Sequence, residues 1–74
     1  MQAQVIDLFC GVGGLTRGLL DAGLKVIEGF DIDPTCKYTY EQNNHVNYNI
    51  RNIRDVTGEE INALYDENAT TILV

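Results

Sequence analysis

Seventy-four residues make one small domain at most, and with no metal or disulfide framework a chain this short is marginal in stability. A composition 45% hydrophobic and 22% charged excludes a disordered segment. The net charge of −6 argues against a DNA-gripping surface, which is normally basic.

The first apolar run, Val5-Ile6-Asp7-Leu8-Phe9, reads as a buried strand over residues 4–9. It runs into Cys10-Gly11-Val12-Gly13-Gly14, a glycine turn that opens a helix near Leu15. A strand, a glycine turn and a helix N-terminus aim backbone N–H groups and a helix dipole at one point, which suits an anionic or carboxylate-bearing cofactor. Thr16 stands where the dinucleotide pattern G-x-G-x-x-G needs its third glycine, and Leu19-Leu20 replace the Lys-Ser/Thr of a phosphate-binding P-loop. The spacing predicts a helix to about Ala22 with Leu15, Leu19 and Ala22 on one face, Gly18 easing its approach to the sheet, and Gly23 closing it.

Residues 25–30 supply a second strand ending at Asp31. An acid about 20 residues past the first glycine is where a ribose-binding carboxylate belongs, and Gly11 and Asp31 have that separation. Ile32 is placed to cover a face of an adenine. Asp33 caps the next helix, with Pro34 at its first position, and that helix runs to about Gln42. Tyr38, Tyr40 and Tyr48 read as packing residues, and His45 as a solvated loop residue. Residues 46–50 alternate as an edge strand, Thr57-Gly58-Glu59-Glu60 is a capping box for a helix carrying Ile61, Leu64 and Tyr65, and residues 70–74 begin a fourth strand.

Taken together, Asp-Leu-Phe-Cys-Gly-Val-Gly-Gly-Leu, Phe-Asp-Ile-Asp-Pro and Asn-Ile-Arg-Asp-Val resemble the opening of a DNA (cytosine-5)-methyltransferase. The resemblance implies an α/β, Rossmann-like class I methyltransferase fold, specifically its N-terminal half, βαβαβαβ with strand order 3-2-1-4, truncated in its fourth strand. Residues 1–74 are then a partial methyltransferase domain, the cofactor-binding half. It implies S-adenosylmethionine as cofactor, held at Phe9, Gly11, Gly13, Gly14, Asp31, Ile32, Asn52 and Ile53. The third block usually carries Asp-Ile, whereas this chain has Asn52-Ile53. Asparagine keeps a carbonyl acceptor for the adenine amino group, and Asp55 is the rival if the register is shifted.

No catalytic residue and no metal ligand can be named. The family's nucleophile lies in a Pro-Cys motif that this chain lacks. Cys10, inside the turn, reads as a small buried thiol, and Cys36 falls in the second helix. DNA is the partner of the intact enzyme, with weak or no binding by this chain. With no signal peptide or membrane-length apolar run, the expected place is the cytoplasm. The fourth strand would leave an unprotected edge, so self-association through it, as a symmetric dimer, is expected. A non-catalytic assembly module and a nicotinamide-dependent Rossmann domain are the rival readings, Thr16 and the Phe9-Cys10 pair opposing the second.

Overall fold

The first apolar run forms β1 (Ala3–Leu8), and in the computed structural model, which describes residues 3–74, its four central residues are all buried. A strand covered on both faces belongs inside a parallel sheet. β1 takes β2 (Lys25–Asp31) on one side and β4 (Thr70–Leu73) on the other, and β3 (Asn47–Ile50) lies beyond β2. All pairings are parallel and the order is β3-β2-β1-β4, as the sequence led us to expect for a Rossmann-like sheet. The β1–β2 register slips between Val5 and Ile6, so that Ile6 faces Glu28 and Asp7 faces Gly29.

Helices α1 (Gly14–Asp21), α2 (Lys37–Asn44) and α3 (Gly58–Leu64) alternate with the strands. Helix α1 ends as expected: Gly23 N–H bonds to the Leu20 carbonyl and Leu24 N–H to that of Leu19, both at 3.0 Å, satisfying carbonyls that would otherwise be unpaired. Asp33 caps a short 3-10 turn, Pro34–Cys36, that leads into α2; its carboxylate accepts from Thr35 N–H at 2.9 Å and from the Thr35 hydroxyl at 2.7 Å. Cys36 therefore lies just ahead of α2. The capping box at α3 is only half made: the Thr57 hydroxyl accepts from Glu60 N–H at 3.1 Å, while the Glu60 carboxylate pairs with Arg51 at 3.1 Å.

One face of the sheet carries the main core, in which Val5, Val26, Tyr40, Val46 and Tyr48 are buried and Leu19, Leu20, Leu24 and Ile72 pack against them. Three expectations change here. Leu15 is 56% exposed, and Thr16 is the α1 residue that is fully buried. The inward stripe is thus Thr16, Leu19 and Leu20, again at i, i+3, i+4 spacing, because two buried partners hold the Thr16 hydroxyl inside. Gly18 is exposed with open space beside it, so it eases no approach to the sheet. Tyr40 and Tyr48 meet edge-to-face at 5.4 Å, but Tyr38 points outward, 75% exposed.

Among the described residues, β4 pairs with β1 alone. A free edge is a template for another strand, yet it selects no occupant, and self-association has no observation behind it beyond that edge. No helix among the described residues is long and apolar enough to cross a membrane.

Candidate functional site

Ligands of open parallel sheets bind outside the carboxyl ends of the strands. Three connections leave from that end here: residues 9–13 after β1, 32–33 after β2 and 51–52 after β3. Backbone hydrogen bonds fasten them together, Cys10 N–H to the Phe30 carbonyl and Arg51 N–H to the Asp31 carbonyl, each 3.0 Å. The Asp31 carboxylate is the clasp. Its Oδ2 accepts from Gly11 N–H at 2.8 Å and its Oδ1 from Asp33 N–H at 3.2 Å. One side chain thus fixes the glycine turn against the end of β2, and each oxygen keeps a further lone pair for a ligand.

Phe9, Phe30, Asp31, Ile32, Arg51, Asn52 and Ile53 surround a small cleft of about 60 Å³ beside this clasp. Five of the eight residues singled out from sequence therefore meet on one cleft: Phe9, Asp31, Ile32, Asn52 and Ile53. Phe9, expected to end the strand, instead leaves it with φ of 55° and 71% of its surface exposed. A left-handed bulky residue costs roughly 1–3 kcal/mol and persists only where its surroundings fix it. Here the hydrogen bonds from Leu8 N–H to Val74 and from Cys10 N–H to Phe30 hold both flanks. The result presents an aromatic ring beside Ile32, itself 61% exposed.

The three predicted glycines do not line that cleft and divide by surroundings. A side chain at Gly11 or Gly14 would meet nothing within 4 Å, so both leave bare backbone to solvent. Gly13, with φ of 95°, is sealed: a Cβ there would lie 2.4 Å from Asn44 Nδ2 and 2.7 Å from Tyr40 Cδ2. Gly13 is also the N-cap of α1, and no side chain caps that helix or adds an acid to its first turn. The positive end of α1 is consequently free to face an anion.

Beneath the turn lies a polar cluster that the motifs do not name. Thr16 Oγ1 donates to Asp7 Oδ2 at 2.5 Å and is 2.9 Å from the Tyr40 hydroxyl. Tyr40 packs under Gly29 as closely as under Gly13, its hydroxyl 2.5 Å from where a Cβ at position 29 would sit. Burial raises the Asp7 carboxyl above its ordinary value, the Thr16 hydrogen bond opposing and the Asp31 charge adding to the rise. The signal for Asp7 and Thr16 was in the sequence: an acid inside an apolar strand requires a partner, and a threonine where a glycine was sought supplies a hydroxyl. Asn44 donates to the Tyr40 carbonyl at 2.9 Å, and its buried Oδ1 has no hydrogen-bond partner among the described residues.

The remaining candidates behave differently from one another. Cys10 is buried, and burial, followed by the charges of Asp7 and Asp31, pushes its thiol up to about 12. A thiol so protonated is a poor nucleophile at neutral pH. Asn52 caps a 3-10 turn, Ile53–Asp55, its Oδ1 accepting from Arg54 N–H at 3.0 Å. Asp55, the rival for the third block, is exposed and lies outside the cleft, whereas Arg51, which the motifs passed over, lines it. His45 is exposed and ends α2 in a left-handed conformation.

The sequence model of the C-5 cytosine-specific DNA methylase family matches residues 3–68. The type II methylase M.HgiDII of Herpetosiphon aurantiacus is 55% identical over 74 residues, covering 100% of this chain and 21% of that protein. The type II methyltransferase M.FnuDI of Fusobacterium nucleatum is 34% identical over 58 residues, covering 78% of this chain and 17% of its own length. The chain thus spans about a fifth of the length of these curated relatives. Among solved structures, the S. pombe Dnmt2 methyltransferase superposes with a TM-score of 0.74 over 85% of this chain and 21% of that one, at 23% identity, a likeness of fold.

Proposed function

The chain belongs to the C-5 cytosine-specific DNA methylase family, and from that premise we propose that its 74 residues form the cofactor-binding portion of a DNA (cytosine-5)-methyltransferase. The observation that carries the reading is the convergence of Phe9, Asp31, Ile32, Asn52 and Ile53, from three separate connections, on one cleft at the carboxyl ends of the strands. These residues fit S-adenosylmethionine. The Asp31 carboxylate has lone pairs for two vicinal ribose hydroxyls, and Phe9 and Ile32 offer exposed apolar surface to a flat base. Gly11 and Gly14 let a ligand lie against the backbone, and the uncapped N-terminus of α1 suits the cofactor's carboxylate. Gly13 acts one step removed, by letting the turn settle on Tyr40.

Bound S-adenosylmethionine supplies a methyl group activated by its sulfonium. The chain's own residues hold and orient that group: Asp31 fixes the turn and the ribose together, and Phe9 shields the base from water. The DNA substrate and the chemistry at cytosine C5 fall to the longer enzyme, in keeping with the fifth of its relatives that this chain spans. Cys10 is no substitute for the nucleophile, and a net charge of −6 opposes the phosphate backbone. The chain alone therefore binds duplex DNA weakly and methylates none. In this reading the enzyme works in the cytoplasm, beside its DNA.

Calorimetric titration of the chain with S-adenosylhomocysteine and, separately, with NAD tests the assignment. The first is expected to bind and the second not. Phe9→Ala should leave the unfolding free energy within about 0.5 kcal/mol while weakening the nucleoside by about 1–3 kcal/mol, the range for losing an aromatic stacking partner. Preference for NAD would return the chain to the dinucleotide reading, and equal affinities for wild type and Phe9→Ala would remove the ring from the site.

A further inference from the structure

The side chain of Asn52 has two arms, an acceptor oxygen and a donor nitrogen, and among the described residues only the oxygen has a partner. Its Oδ1 accepts from Arg54 N–H at 3.0 Å and closes the turn after β3. Since a backbone N–H can bond only to the oxygen, chemistry fixes which arm is which. The nitrogen, Nδ2, makes no hydrogen bond among the described residues, although Asn52 is exposed and lines the cleft with Phe9 and Ile53. The neighbouring polar group on that wall, the Arg51 guanidinium, is also a pure donor, held by Glu60 at 3.1 Å and by the Asp55 carbonyl at 3.0 Å. The cleft's one carboxylate, Asp31, lies on the β2 side and clasps Gly11. The β3 wall therefore offers unspent side-chain donors, its acceptor capacity reduced to the second lone pair of Asn52 Oδ1.

Resting on the cofactor reading above, we infer that Asn52 meets the edge of the purine as a hydrogen-bond donor. The carbonyl acceptor expected from sequence for the adenine amino group already takes one backbone bond and keeps a single lone pair, whereas Nδ2 is wholly unspent. For adenine, the Nδ2 donor can pair with a ring nitrogen and gains nothing from the 6-amino group, itself a donor. A 6-oxo purine presents an acceptor at the same corner and satisfies Nδ2 equally well. Asn52 is thus a specificity-determining residue that makes this cleft permissive between 6-amino and 6-oxo purine nucleosides. A carboxylate at position 52 would cap the turn with one oxygen and turn an acceptor to the base with the other, replacing that permissiveness by a preference for the 6-amino group.

The test titrates wild-type chain and Asn52→Asp with S-adenosylhomocysteine and with its 6-oxo counterpart, S-inosylhomocysteine, by calorimetry. Wild type should bind the two within about threefold of each other, whereas Asn52→Asp should favour the 6-amino ligand by about tenfold or more, the scale of one mismatched polar contact. Asp caps such turns as well as Asn does, and unchanged thermal unfolding verifies that the variant remains folded. A wild-type preference for the 6-amino ligand above tenfold overturns the inference without reference to any variant. A ratio unmoved by Asn52→Asp, with both ligands bound, overturns the donor role and leaves the cofactor site standing. If wild type binds neither ligand, the cofactor reading fails and this inference with it.

Discussion

Gly11 and Gly13 stand two residues apart in one turn, both in the left-handed region with φ of 53° and 95°, yet their surroundings are opposite. Gly11 lies over open space and donates its N–H to Asp31 on the cleft side. Gly13 is pressed onto Tyr40 and Asn44, beside the buried Asp7–Thr16–Tyr40 cluster. The same glycine-rich string therefore does two jobs. Its outer surface is left bare, open to the ligand proposed above, and its inner surface lets an aromatic side chain brace the turn from below.

Alanine substitutions separate those jobs. Gly13→Ala combines left-handed strain with a clash against Tyr40 and should cost roughly 2–5 kcal/mol of stability, enough to unfold most of the chain. Gly11→Ala carries only the conformational cost, about 1–2 kcal/mol. Denaturant midpoints of the two variants measure the difference; equal losses would mean that the inner face is no tighter than the outer.

Removing the Thr16 hydroxyl attacks the brace itself. Thr16→Val leaves both Asp7 and the Tyr40 hydroxyl short of a partner and should cost about 1–3 kcal/mol. Adding Tyr40→Phe should return part of that loss, because a polar group left unpaired is removed. If the two losses simply add, Thr16 and Tyr40 do not act through their hydrogen bond.

A pH series reads the same cluster through Asp7. Its folded carboxyl titrates above the ordinary value of 3.8, so below that value it is protonated in both states and carries no penalty. As pH rises, the unfolded chain releases its proton first and stability falls, until the folded carboxyl ionises as well and the penalty is complete. Glu41 contributes in the opposite direction. Its carboxylate, held down by the Tyr48 N–H and then by Lys37, adds stability that is lost in acid as pH falls through its lowered folded pKa. The difference between wild type and Asp7→Asn isolates the Asp7 contribution: the variant should gain on wild type between pH 3 and pH 7. A difference independent of pH would contradict the buried, raised carboxyl.

The smallest effect is expected away from both faces of the turn. Gly18 sits in the helix with open space around it, so Gly18→Ala should stabilise by about 0.5–1 kcal/mol. A loss there would show that the helix approaches something after all.

The strand–helix alternation and the placing of Asp31 were legible because each depends on local signals: apolar runs, a glycine turn, and an acid at a strand end; the order of the strands came from the family resemblance. The helix caps at Asp33, Gly23 and Thr57 were legible for the same reason. What stayed hidden was set by contacts distant in sequence. Nothing near Gly13 announces that Tyr40 will lie against it, and the apolar stripe through Leu15 gave no weight to a threonine whose hydroxyl is claimed by Asp7 and Tyr40. Phe9 read as strand because its residue type favours one; the left-handed kink comes from the pinning of Leu8 and Cys10 on either side. Asn52 lines the cleft, but that its oxygen is taken up by a backbone N–H two residues on is nothing its place in the third block announces.

The central claim is that the ligand meets the outer surface of this turn and the cleft beside it. Amide chemical-shift mapping of the labelled chain during titration with S-adenosylhomocysteine tests it directly. Saturable shifts are expected at Gly11, Gly14, Ile32, Asn52 and Ile53, with Tyr40, buried beneath Gly13, essentially unmoved. Shifts concentrated in residues 39–44 with the cleft amides silent, or no shifts at millimolar ligand, would contradict it.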